Sequence, residues 1–430
     1  MNLLKKIGTN GRIVVKNSIY SMMGSVLGQL VALLSSLVMG RLLGVTGLGS
    51  YTFAMTFSGI VFLFLNLGLG GIFERNISQN RSSAEKNYAN VLTMRLFFSM
   101  PMSIMIGAIG TFIMHRQDDI WLLVLSCIYT GLTGIFSLAS EGITATERFK
   151  TTFIFNMLQK ILCFVVTFLA LYYTKSILIM LMLHDIVFVI LIIAELIYVN
   201  KTICRVRLKF DLPFCKGLIK ESLPTIFGAA AEYLCLKSDV LVLTLMLGGA
   251  ATGLYSVSSN VYIAASFVPL AMAKAATPTY NRMISNKENV RNLVKRTFQM
   301  MTISSIVLIV GIFLLGRFGI VLLWGKEFED ATVSLKILSI SLLFMPANRF
   351  LEYMLVGLKQ QAFVAKCSVI GAIFNITANL VFVPKVGLNA VAITTVITEF
   401  IVMSVELYFF KNYDRRRKVS DDFCIFGQND

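Results

Sequence analysis

Three charged side chains, Glu232, Lys237 and Asp239, interrupt the apolar run from Ser222 to Leu247. A charge at bilayer depth costs about 2.5–3.5 kcal/mol or more, so such residues face a partner or a watery path. At about 100° per residue, Glu232 and Asp239 share one stripe of a helix, and Lys237 falls on the opposite side. One neighbour cannot satisfy all three. The pattern suits a helix that forms a wall, with packed protein on one side and a polar lumen on the other. The bland alternative is two interhelical ion pairs with no part in moving anything.

Other charges lie inside apolar runs: Arg95, Lys160, Lys336 and Arg349, with Arg41 at the outer end of the first run. Against them stand Asp185, Glu195, Glu352 and Glu399. Arg349 and Glu352 are i,i+3 and can pair on their own helix. Glu195 and Glu399 sit near the ends of their runs and are expected to reach the interface. Arg95, Lys160 and Lys237 are then the expected unpaired positive charges of a cavity, with Lys336 behind them. Asp185, Glu232 and Asp239 are the acids placed to take up an ion. His184 beside Asp185 is either a proton relay or a packed, hydrogen-bonded side chain. Pro101, Pro269 and Pro346 lie within runs, as hinges or ordinary bends.

Catalytic signatures are missing. There is no HExxH, no GxSxG and no phosphate-binding loop, and Asp118-Asp119 reads as a solvated pair. The seven cysteines form no CxxC, so neither metal nor disulfide is expected, and no cofactor is called for. The chain therefore reads as a transporter rather than an enzyme.

The elements that must position these residues are membrane spans. Only 14% of the residues are charged, against about 25% in a soluble domain, and mean hydropathy is +0.76. The net charge of +16 fits cytoplasmic loops and anionic lipid rather than nucleic acid, since no basic run alternates with aromatics. Twelve spans are expected: 18–42, 48–70, 88–114, 119–140, 152–173, 176–199, 222–247, 252–275, 297–316, 331–356, 363–384 and 388–411. With the N-terminus inside, the inside segments hold 28 Lys and Arg and the outside segments 6. That bias puts both termini in the cytoplasm. The basic start, with Lys5, Lys6, Arg12 and Lys16, shows no signal-peptide cleavage site.

The sequence also repeats. Leu43-Gly44 to Gly49-Ser50-Tyr51 and Leu247-Gly248 to Gly253-Leu254-Tyr255 both read L-G-x4-G-x-Y, 204 residues apart. Paired motifs between spans suggest an internal duplication. The expected organisation is an N-terminal six-helix bundle (1–200), a basic linker (201–221), a C-terminal six-helix bundle (222–411) and a basic tail (412–430). Tyr51 and Tyr255 should be equivalent.

Several stretches resemble the polysaccharide flippases of the multidrug/oligosaccharidyl-lipid/polysaccharide exporter superfamily. They are Gly40 to Tyr51, Leu67-Gly68-Leu69-Gly70, Lys237-Ser238-Asp239-Val240-Leu241 through Tyr255, Val268-Pro269 and Thr277-Pro278. Trp324-Gly325-Lys326-Glu327-Phe328, and Gly357-Leu358-Lys359 through Asn375 and Asn379 to Val383-Pro384-Lys385-Val386-Gly387-Leu388-Asn389-Ala390, complete the set. The resemblance implies two six-helix bundles around a central cavity. It implies transfer of an undecaprenyl-diphosphate-linked oligosaccharide, destined for O-antigen, capsule or exopolysaccharide, across the bacterial cytoplasmic membrane. Lys237, Arg95, Lys160, Arg41 and Arg349 are the expected cations for the diphosphate. A proton or sodium ion would be the coupling partner, and polysaccharide polymerase and chain-length proteins the protein partners. The end of the chain soon after the twelfth span argues against the lipid II branch. The competing readings are a cation-coupled multidrug antiporter, whose cavity should favour acids, and a membrane-embedded polymerase or glycosyltransferase, which needs a larger outside loop.

Overall fold

The computed structural model describes residues 9–66, 68–113, 120–286 and 288–421. The apolar runs form helices, and no strand occurs among the described residues. We number them α1 (Thr9–Leu65), α2 (Leu69–Gln79), α3 (Ala84–Met94), α4 (Met100–Ile113), α5 (Ile120–Ala145), α6 (Phe149–Thr174) and α7 (Ile177–Thr202). Then follow α8 (Leu212–Ser285), α9 (Arg291–Leu323), α10 (Ala331–Ile340), α11 (Met345–Gly357), α12 (Gln361–Val386) and α13 (Leu388–Asp421). Among the described residues, ten helical stretches are long and apolar enough to cross a membrane. Two of these, Met23–Leu65 and Lys237–Ser285, are each broken once, which gives the twelve helices expected.

The breaks fall at Gly44 (φ 69°, ψ −174°) and Gly248 (φ 83°, ψ −177°). A positive φ with extended ψ is essentially confined to glycine. Both are the first glycine of an L-G-x4-G-x-Y motif, so the duplicated sequence carries a duplicated backbone turn.

The chain divides into two compact units: Met1–Gly47 with Tyr51–Ala230, and Leu48–Ser50 with Ala231–Asp430. In the first, α5 packs against α2, α4 and α7, and α6 against α7. Its core sets Phe73 edge-on to Tyr88 (4.9 Å between ring centroids) and Phe136 edge-on to Phe188 (5.6 Å). In the second, α13 packs against α10, α11 and α12, and Phe350 lies edge-on to Phe298 at 5.4 Å.

The structure departs from the expected spans in three places. The expected span 331–356 is α10, a 3-10 turn at Ser341–Leu343, and α11. Pro346 has no N–H to donate to the carbonyl of Leu342. That carbonyl instead accepts from the Ser305 hydroxyl at 2.7 Å, so this acceptor is not left bare. Residues Leu69–Gln79 form a short amphipathic helix, burying Leu69, Ile72, Phe73 and Ile77. The basic segment expected as a linker over 201–221 is irregular only through 204–211, and α8 begins at Leu212. Asp211 caps that start: its carboxylate accepts from the Phe214 N–H (3.1 Å) and meets the Lys86 ammonium (3.1 Å). Its own N–H donates to the Asn90 side chain at 2.6 Å.

Candidate functional site

In the second unit, Asp239 is the centre of a polar cluster inside an otherwise apolar bundle. It is 4% exposed. Tyr255 Oη donates to Oδ2 (2.6 Å), Thr395 Oγ1 also donates to Oδ2 (3.2 Å), and Asn379 Nδ2 donates to Oδ1 (2.8 Å). A second tier supports these donors. Asn375 Oδ1 accepts from Asn379 (3.0 Å) and from Ser238 Oγ (3.1 Å), and Thr394 donates to Asn379 Oδ1. Four helical segments contribute: both halves of α8, α12 and α13. The turn at Gly248 is what makes this possible, because it folds the second half of α8 back so that Tyr255 reaches Asp239. A carboxylate surrounded by amide and hydroxyl oxygens is a hard-oxygen environment of the kind that binds protons and hard cations.

Lys237 stands two residues before Asp239 on the other side of α8 and is half-buried. Its ammonium has no hydrogen bond or ion pair among the described residues. Asp239, with three donors on its carboxylate, does not need the lysine as a contact partner. The Glu232 side chain lies outside the described residues.

The remaining candidates separate by environment. Lys160, on α6, is half-buried, and its side chain lies against Gly28 of α1. Any side chain at residue 28 would collide with the ammonium, so the glycine makes room for the charge. Arg41 is exposed. Arg349 pairs with Glu352 one turn along α11, at 2.8 Å. Arg95 is sealed inside the first unit at 2% exposure. Its Nη1 donates to the Gly134 carbonyl and lies 3.4 Å from Ser137 Oγ. It opens a π-helical turn, Arg95–Ser99, immediately before Pro101. The guanidinium is thus held against α5, with Nε and Nη2 left without a hydrogen-bond partner among the described residues. Asp185 is half-buried on α7, with one carboxylate oxygen buried and unpartnered. His184 takes the packed reading: Nε2 lies 3.0 Å from both Thr167 Oγ1 and the Cys163 carbonyl.

Two acids expected near the interface are inside. Glu195 is 0% exposed and accepts from Ser140 at 2.8 Å. Glu399 accepts from Asn348 Nδ2 at 2.5 Å.

Sequence reasoning passed over Tyr255 as a donor, Thr394, Thr395, Glu141 and Glu406. Asn375 and Asn379 were singled out only as part of a resemblance, although an i,i+4 asparagine pair in an apolar run is itself a signal of a polar stripe. Glu141 falls one residue beyond the expected span 119–140, whereas α5 continues to Ala145. Glu406 is seven residues after Glu399, on the same stripe of α13, and is 0% exposed.

The profile of the family described as "Polysaccharide biosynthesis protein" matches residues 14–284. The capsular polysaccharide biosynthesis protein CapF of Staphylococcus aureus is 21% identical over 405 residues, covering 93% of this chain and 99% of the relative. Among solved structures, an inward-facing multidrug resistance MATE family transporter of the MOP superfamily superposes with a TM-score of 0.76. It has 14% identity and covers 95% of this chain and 99% of that one. The lipid II flippase MurJ, in an inward closed conformation, superposes with a TM-score of 0.75 at 15% identity, covering 91% and 87%.

Proposed function

Because the chain belongs to the polysaccharide biosynthesis protein family, we propose that it is a flippase for a lipid-linked oligosaccharide in the bacterial cytoplasmic membrane. The observation that carries this reading is the contrast on one helix between Lys237 and Asp239. The acid is buried and served by three donors, while the lysine two residues away is half-buried and has no hydrogen bond or ion pair among the described residues.

An ammonium with no hydrogen bond or ion pair among the described residues suits an anion that arrives and leaves. The diphosphate of an undecaprenyl-linked sugar is such a group. Lys237 binds it in the second unit, and Lys160 offers the same charge in the first. Arg349, held by Glu352, and Arg95, enclosed by α5, act on packing and not on substrate. Asp239 takes up the coupling ion, a proton or sodium. The termini are cytoplasmic, which reporter fusions within 204–211 (inside) and 324–328 (outside) test; a reversed pattern refutes that orientation.

Loss of one charge-assisted contact costs about 1.5–3 kcal/mol, or roughly ten- to a hundred-fold in affinity. Lys237→Ala should therefore abolish most surface glycan while the protein accumulates normally in the membrane, and Lys237→Arg should retain much of the export. Full export by a stable Lys237→Ala protein removes this residue from the substrate site. Resistance to cationic drugs conferred by the wild-type chain, without any effect on glycan, would favour an antiporter instead.

A further inference from the structure

Glu195 in the first unit and Glu406 in the second are fully buried carboxylates, and they occupy matching positions. In the first unit α7 begins at Ile177 and reaches Glu195 eighteen residues later. In the second, α13 begins at Leu388 and reaches Glu406 after the same interval. Both are 0% exposed. Each faces the residue five before the end of a neighbouring helix. For Glu195 that is Ser140 of α5, which donates to it at 2.8 Å. For Glu406 it is Glu352 of α11, whose charge acts on it.

The charges around the two acids are accounted for helix by helix. Around Glu406, α11 brings Glu352 with Arg349 paired to it at 2.8 Å, α12 brings Cys367, and α13 itself carries Glu399. Lys336, the charged residue of α10, lies over the Phe313 ring at 5.7 Å. Around Glu195, α3 brings Tyr88, and Glu141 on α5 acts on Arg95. On α6, Lys150 is exposed and Lys160 lies against Gly28. Neither acid has an ion pair among the described residues. Both oxygens of Glu406, and Oε2 of Glu195, have no hydrogen-bond partner among the described residues.

An ionised carboxylate in such surroundings is strongly disfavoured, and the group takes a proton instead. We infer that Glu406 and Glu195 are a duplicated pair of proton-binding sites, one per unit, distinct from the Asp239 cluster. In unit 2 the excess negative charge of Glu352 and Glu399 makes the proton on Glu406 sensitive to whether Arg349 stays on Glu352.

Infrared spectroscopy of the purified full-length protein in liposomes tests this without glycan or transport, so its failure leaves the flippase reading standing. At neutral pH the wild type should show the C=O stretch of protonated carboxyls, shifting on exchange into deuterium oxide. Glu406→Gln, which matches the neutral acid in size, should fold and remove one carboxyl's intensity, Glu195→Gln another, and the double variant both. The inference is overturned by an undiminished band in the double variant, or by no such band in the wild type. Accumulation of Glu406→Asp but not of Glu406→Gln would also overturn it, since the site would then require a charge.

Discussion

Tyr255 donates a 2.6 Å hydrogen bond to Asp239, sixteen residues earlier on the same helical element. In an unbroken helix those residues would stand about 24 Å apart. They touch because Gly248 turns the chain between them. The first unit repeats the turn at Gly44 but not the acid: 204 residues before Asp239 stands Ser35, whose hydroxyl returns to the Val31 carbonyl at 2.9 Å. The repeated motif carries the turn in both units and the carboxylate at this position in one.

Asp239→Asn keeps the size of the side chain and removes its charge. Export should lose its dependence on the proton or sodium gradient while protein level holds. Tyr255→Phe deletes one donor and should lower thermal stability by about 1–3 kcal/mol. Gradient-dependent export by Asp239→Asn equal to the wild type would end the coupling role.

Gly248→Ala meets no atom within 4 Å of its new Cβ, so its cost is backbone strain alone. About 1–3 kcal/mol of destabilisation is expected. Gly311 in α9 also has open space, yet Gly311→Ala should be neutral or stabilising by up to about 1 kcal/mol, because its backbone is helical. Thermal unfolding of the two variants in one detergent compares them directly.

Arg95→Met should act on folding rather than on substrate. It removes the hydrogen bond to the Gly134 carbonyl and the positive charge that acts on Glu141, a loss of about 1–3 kcal/mol. Protein level should fall, and export per molecule of the surviving protein should stay near wild type. Normal accumulation with lost export would return Arg95 to the substrate site.

The cap at Asp211 gives a pH dependence. The Phe214 N–H and then the Lys86 ammonium hold this carboxyl below its ordinary range. A depressed acid contributes stability above its unfolded-state pKa, about 3.9, and the contribution fades as pH falls through the folded-state value. Protection of 204–215 from hydrogen exchange should therefore decline at acid pH in the wild type. Asp211→Ala should show the reduced protection already at neutral pH, and an acid-insensitive wild type would refute the cap's electrostatic role.

Sequence alone determined the class, the twelve helices and the repeated glycine motif, because these depend on local quantities. A bilayer demands about 20 apolar residues per helix, and only glycine tolerates the turns at 44 and 248. It also marked Lys237 and Asp239 as opposite faces of one helix, since helical angle needs no tertiary knowledge. Which charges are free was decided by the folded structure. Arg95 reads as available in sequence and is enclosed by Gly134 and Ser137 from α5, reached through a π turn that the residue types do not announce. Glu195 reads as interfacial and is sealed against Ser140. The donors to Asp239 come from positions 255, 379 and 395, and only packing brings them together. Partnership of a buried charge is a property of three or four helices at once, and no single stretch of sequence contains it.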